Sequence, residues 1–202
     1  MDVLYEDAHL IVLDKPHGQH SQGTARGDEG SVIAEARALY GDGVRLVHRL
    51  DRDASGLLVV ARGKKATARL SEGFRDHSIR RTYAAQVSIP LAVGTTGSID
   101  ASLRWAGGRC WVDRNGAHAV THYEVTARNP PLTTLQLQLE TGRMHQIRVH
   151  CAHALGPIVG DRKYGGVRGT HLMLRAIRLE FQHPITDKAM RFEVPLNFPD
   201  SA

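Results

Sequence analysis

The sequence predicts an α+β fold: a mixed, largely antiparallel sheet flanked by helices and loops. Three observations point there. Leu135, Leu137 and Leu139 alternate with Gln136, Gln138 and Glu140, and Tyr83, Ala85, Val87 and Ile89 alternate with Thr82, Ala84, Gln86 and Ser88, the period of half-buried strands. Strand patterns outnumber helical ones. They also come in runs, which favours a largely antiparallel arrangement.

Taken in chain order, Leu10 to Leu13 is a short apolar strand that stops at Lys15-Pro16. Ser31 can cap a helix through Tyr40, with Val32, Ala36 and Leu39 on one side. Leu46-Val47 leads into a charged, turn-forming loop, and Leu57 to Ala61 follows as an apolar strand. A second helix runs from Lys64 to His77, with Leu70 and Phe74 at i and i+4. The segment Ala106 to Ala117, rich in glycine and charge, reads as an exposed loop, and Val120 to Ala127 as a strand. Thr141 is a candidate N-cap for a third helix, with Met144, Ile147, Cys151 and Leu155 as its apolar stripe and His145, Arg148 and His153 on other faces. That helix stops at Gly156-Pro157. Ile177 to Phe181 and Arg191 to Val194 flank a turn, as in a hairpin. No linker divides the chain, so one domain over 1–202 is expected.

The chain has 202 residues, of which 42% are hydrophobic and 23% charged, enough to bury a core without disulfides or metals. No apolar stretch approaches a membrane span. The start carries Asp2, Glu6 and Asp7, unlike a secretory signal, so the cytoplasm is the expected location. Cys110 and Cys151 are then expected as two reduced thiols. With 26 basic and 21 acidic side chains the net charge is +5, which favours polyanionic partners without selecting one.

The charged loop is His48-Arg49-Leu50-Asp51-Arg52-Asp53-Ala54-Ser55-Gly56. A loop held between buried segments is a common way to position catalytic groups. Arg49 and Arg52 flank Asp51 and favour its ionised form, which can act as nucleophile or base. By composition alone the same cluster reads as a solvated turn with structural ion pairs.

The segment HRLDRDASGLLVVAR resembles the central motif of the RluA-type pseudouridine synthases, HRLDxxTSGLLLxAK. Four further segments resemble that family in its order and extend over nearly the whole chain: VLYEDAHLIVLDKPHG, RRTYAAQV, LETGRMHQIRVHCAHALGPIVGDRKYG and LMLRAIRLEFQHP. The resemblance implies isomerisation of uridine to pseudouridine in ribosomal or transfer RNA by a pseudouridine synthase catalytic domain, and 202 residues leave no room for the separate N-terminal RNA-binding domain that some members carry, so none is expected. It implies no cofactor and no metal, and RNA rather than DNA or membrane as partner; the sequence does not specify an oligomeric state, and a monomer is the default expectation. Asp51 matches the essential aspartate, Tyr83 the tyrosine that stacks on the target uracil, and Arg143 the arginine that pairs with the aspartate. Arg143 is expected in the first turn of the third helix, where its charge opposes the dipole unless a carboxylate meets it. Leu174 matches an apolar position beneath the uracil, and plain core packing reads equally well there. Arg49 matches an arginine that supports base flipping in some members, and His48, His145 and Gln146 are scaffold or RNA contacts.

The chain departs from the family pattern at Ala54, where threonine is usual, at Gly156-Pro157, which lacks an intervening histidine, and at Arg175, where histidine is frequent. Two rival readings remain. His150, Cys151 and His153, or His48, Asp51 and Asp53, contain metal-ligand types and suggest a metal-dependent hydrolase, although Cys151 and His153 fall on different helix faces. A non-catalytic RNA-binding module on the same fold would keep the basic surface without needing the acid.

Overall fold

The computed structural model describes residues 2–23, 27–196 and 198. Along them run β1 (Asp2–Glu6), β2 (Leu10–Lys15), α1 (Val32–Tyr40), β3 (Val44–Leu46), β4 (Ser55–Arg62), α2 (Lys64–Arg75), β5 (Arg80–Val87) and β6 (Thr96–Asp100). These are followed by β7 (Leu103–Ala106), β8 (Arg109–Val112), β9 (Val120–Asn129), β10 (Leu132–Leu139), α3 (Gln146–Ala154), β11 (Leu174–Gln182) and β12 (Ala189–Glu193). They form two compact units, the first from Met1–Arg81 with Ala176–Pro195 and the second from Thr82–Arg175 with Leu196–Ala202.

In the first unit the strand order is β1-β2-β4-β11, with β12 on β11 and β3 on β4. The β1–β2, β2–β4, β3–β4 and β11–β12 pairs are antiparallel. Leu10 to Leu13 and Leu57 to Ala61 have no exposed surface, so these strands are covered on both faces, which is why they read as continuous apolar runs rather than alternations. Helix α1 begins as its sequence predicts: the Ser31 hydroxyl accepts from Ala34 N–H at 3.2 Å, and Val32, Ile33 and Ala36 turn inward. Leu39, expected on that inner side, is instead 68% exposed. Helix α2 buries Ala66, Leu70 and Phe74 and ends at Arg75, two residues before the expected His77, which adopts a left-handed conformation.

In the second unit the order is β5-β10-β9-β6, all antiparallel, with β7–β8 as a separate hairpin. The alternation on β10 holds: Leu135 and Leu137 are fully buried while Gln138 is exposed. Strand β5 departs from it, because Thr82, Tyr83, Ala84 and Ala85 are all buried, so both faces are covered. The segment read as an exposed loop holds β8 and the β7–β8 turn, and its Cys110 packs in a small core with Leu103, Ala119 and Val149.

The third helix starts at Gln146, not in the turn after Thr141. His145, its N-cap residue, sits at φ 53 in the left-handed region, so Thr141, Arg143 and Met144 precede the helix. Its buried set is also broader than one apolar stripe: Gln146, Arg148 and His150 are buried beside Ile147, Val149 and Cys151. Each of these polar groups has partners, as burial requires.

Candidate active site

The first unit carries Asp51. It lies in the turn between β3 and β4, closed by Ala54 N–H donating to the Asp51 carbonyl at 3.2 Å. The turn is tied down by the segment after β2. The Ser21 hydroxyl donates to the Leu50 carbonyl at 2.8 Å and accepts from Leu50 N–H at 3.0 Å. Gly18 N–H donates to the Arg52 carbonyl at 3.0 Å, and His17 Nδ1 donates to the Asp53 carbonyl at 2.8 Å. Gly56 lets the turn enter β4 close to β11. Its φ is +106, and a Cβ there would stand 2.2 Å from the Ala176 carbonyl oxygen, so no other residue fits.

Against the turn lies a buried cation, Lys15, which is not among the site residues expected from sequence. Lys15 has no exposed surface, and its Nζ donates to the carbonyls of Pro16, Gln19 and Arg52 at 2.9, 2.8 and 3.1 Å. Burial pushes its ammonium down to about 8, against the charges of Asp51 and Asp53, which favour the protonated form. The available sequence signal was a lysine closing an apolar strand before a proline. Arg52 turns to Asp53, 3.5 Å away, and Arg49 is exposed. His48 is held as scaffold. Its Nε2 accepts from Val59 N–H at 2.9 Å, and its ring stacks on Phe74 with centroids 4.0 Å apart. Burial and the Arg81 charge push it down to about 3, so the imidazole is neutral.

The second unit carries the other selected residues. Tyr83 is buried on β5 opposite Leu137, and Leu174 is buried at the start of β11. Arg143 is exposed in the turn ahead of α3. Its N–H donates to Gln146 Oε1 at 2.9 Å, and its Nε donates to the His118 carbonyl at 3.0 Å. The buried Gln146 organises that turn: Oε1 also accepts from the Thr141 hydroxyl, and Nε2 donates to the Val120 carbonyl and the Thr121 hydroxyl. The Thr121 hydroxyl then donates to His150 Nδ1, while His150 Nε2 donates to the Ala101 carbonyl, at 2.9 Å each. Burial pushes the His150 imidazole down, in keeping with this neutral role. His145 stands apart from this network, with Nδ1 2.7 Å from the Tyr164 hydroxyl and its ring edge-on to Trp105.

The GDRKYG segment is fixed by a buried ion pair. Arg148 Nε and Nη2 donate to the two oxygens of Asp161, both at 2.8 Å, and Asp161 Oδ1 also accepts from the N–H groups of Lys163 and Tyr164. The metal-ligand clusters weighed from sequence are dispersed. Both His150 nitrogens are engaged, and burial pushes the Cys151 thiol up to about 12. Among the described residues no group of three His, Cys, Asp or Glu side chains is placed to hold a metal, both cysteines are free and buried, and no helix is long and apolar enough to cross a membrane.

A family model described as RNA pseudouridylate synthase matches residues 9–153. The chain is 39% identical to the uncharacterized RNA pseudouridine synthase YjbO of Bacillus subtilis (strain 168), over 97% of this chain and 72% of that protein. It is 36% identical to ribosomal large subunit pseudouridine synthase D of Xylella fastidiosa (strain Temecula1), over 97% of this chain and 66% of that protein. It thus spans roughly two thirds of the length of such relatives. Human RNA pseudouridylate synthase domain containing 4 superposes with a TM-score of 0.74 at 25% identity, covering 96% of this chain and 88% of that one. Human RNA pseudouridylate synthase domain containing 1 shares the fold, with a TM-score of 0.80 at 24% identity over 96% of this chain and 82% of that one.

Proposed function

The chain belongs to the RNA pseudouridylate synthase family, a family of isomerases, and from that premise we propose that Asp51 is the carboxylate with which it converts uridine to pseudouridine. The observation that carries this reading is the anchoring of the Asp51 turn. Ser21 clamps both backbone groups of Leu50, and Lys15 and Gly18 clamp the Arg52 carbonyl, so the acid between them sits on fixed backbone. Such preorganisation is what a positioned catalytic group requires.

In the reaction the N1–C1′ bond breaks, the uracil turns, and a C5–C1′ bond forms. N1 gains a proton and C5 loses one, so nothing is oxidised and the balance needs no cofactor. Tyr83 supplies an aromatic face for the uracil, Leu174 an apolar floor and Arg143 a cation for the Asp51 carboxylate, each on the family's pattern. Arg49 enters the RNA to support the flipped base, whose extraction costs on the order of a few kcal/mol. His145 contacts RNA, and His48 serves the Asp51 turn by holding Val59. Ribosomal RNA is the favoured substrate over transfer RNA, since relatives such as the Xylella protein are named for the large ribosomal subunit. The cytoplasm is where that substrate is found.

Pseudouridine mapping of total RNA from cells with and without the gene tests this reading. One or more sites should vanish with the gene and return with the wild-type chain. A map identical in both strains would overturn it.

A further inference from the structure

Both tryptophans of the chain lie on one hairpin, and both are exposed, Trp105 by 46% and Trp111 by 40%. The β7–β8 register pairs Leu103 with Val112, Arg104 with Trp111, Trp105 with Cys110 and Ala106 with Arg109. Leu103, Trp105, Cys110 and Val112 therefore share one face, and Arg104, Ala106, Arg109 and Trp111 the other. The first face anchors the hairpin, since Leu103 and Cys110 are buried with Ala119 and Val149, and Val112 and Tyr164 pack against them. Trp105 stands at its rim, edge-on to His145 at 5.4 Å, with Lys163 Nζ 5.7 Å from its ring centre. The second face is wholly exposed and presents an indole beside two arginines.

The charge around these indoles is predominantly positive. Arg104, Arg109, Arg114, Arg162 and Lys163 are all exposed. The acids in residues 103–116 and 161–168 are Asp113, which pairs with Arg104 at 2.7 Å, and Asp161, which is buried against Arg148. Exposed aromatic rings interleaved with cations match the chemistry of a single-stranded nucleic acid, where bases stack and phosphates meet cations. A protein partner would favour an apolar centre with charge at the rim, which the exposed surface of the hairpin lacks.

We propose that the β7–β8 hairpin grips the substrate RNA, with Trp105 and Trp111 stacking on unpaired bases and Arg109 and Lys163 meeting the phosphates between them. This rests on RNA being the substrate, not on the role of Asp51.

Because the chain has two tryptophans and both are here, its indole fluorescence reports this hairpin alone. The full chain is titrated at low salt with a single-stranded oligo-uridine 12-mer, and binding is followed in parallel by anisotropy of a labelled copy. The expected result is saturable quenching at the anisotropy midpoint. Trp111→Ala and Trp105→Ala each weaken binding by about tenfold. Arg109→Glu and Lys163→Glu each lower the salt slope by about 0.7. Trp105→Phe and Trp111→Phe keep most of the affinity and assign the quenching to each indole. Bound RNA with unchanged fluorescence, no saturable binding, or Trp→Ala variants that bind as tightly as wild type would overturn the proposal. So would indole emission that responds to protein concentration and not to RNA, because the hairpin would then join two copies of the chain. Saturable quenching together with a cellular pseudouridine map unchanged by loss of the gene leaves the hairpin standing and removes the catalytic reading. Pseudouridine formation with silent indoles does the reverse.

Discussion

A lysine with no exposed surface must find in the protein the acceptors that water would otherwise give it. Lys15 finds three carbonyls, one of them on the turn that carries Asp51. Replacing it by methionine strands those carbonyls, and we expect Lys15→Met to lower stability by about 3 kcal/mol in denaturant titrations. The pH dependence separates this from a plain packing loss. The folded-state value of about 8 lies below the ordinary lysine value of 10.5, so between them the unfolded chain binds more protons than the folded one. Stability from this group therefore rises as pH increases from about 8 to 10.5, and is lost as pH falls back through 8. The wild-type chain should gain up to about 3 kcal/mol over that window and Lys15→Met should not. Identical pH profiles for the two would show that the lysine is not held as described. In the sequence Lys15 is a polar residue at a strand end, and nothing local says it is buried. Its acceptors come from residues 16, 19 and 52, so its burial is a property of the fold.

Elements defined by a local pattern were legible in the sequence, and those defined by distant partners were not. Helix α1 and its Ser31 cap, the apolar strands β2 and β4 and the alternation of β10 follow from period and capping alone. The start of α3 does not. Thr141 has the chemistry of an N-cap, but its hydroxyl accepts from Val120 N–H and donates to Gln146, so it braces the preceding turn instead. Arg143 consequently stands outside the helix, held by Gln146 and the His118 carbonyl rather than set against the dipole. The helical pattern places Arg148 off the apolar stripe, and Asp161, its buried partner, lies thirteen positions away. That pair fixes α3 to the 161–164 turn, and breaking it leaves a buried charge alone. We expect Arg148→Met or Asp161→Leu each to cost about 3–5 kcal/mol, and the double variant to recover much of that loss. Additive losses in thermal and denaturant unfolding would show that the two groups do not act as a pair.

Across the whole molecule, binding and chemistry should separate. RNA affinity arises from cations meeting phosphates, and the chain carries 26 basic against 21 acidic side chains. One carboxylate contributes little to that sum. Asp51→Asn keeps the shape of the side chain and removes one negative charge, so affinity for oligo-uridine should stay within about twofold of wild type or tighten, with the same salt slope. The rate of pseudouridine formation should nevertheless fall by about 100-fold or more, as when a positioned acid–base or nucleophilic group is removed. The residues proposed to support that acid are His48, Arg49, Tyr83, Arg143, His145 and Leu174. Tyr83→Ala and Arg143→Met should therefore strike the same chemical step as Asp51→Asn, and combining either with Asp51→Asn should cost far less than the product of the separate losses, as for residues that act as a unit. A non-catalytic RNA-binding module makes the opposite forecast. The Asp51→Asn chain would then bind RNA and complement loss of the gene in full, with the pseudouridine map unchanged throughout, and that result would overturn the catalytic role of Asp51 while leaving the basic surface its place.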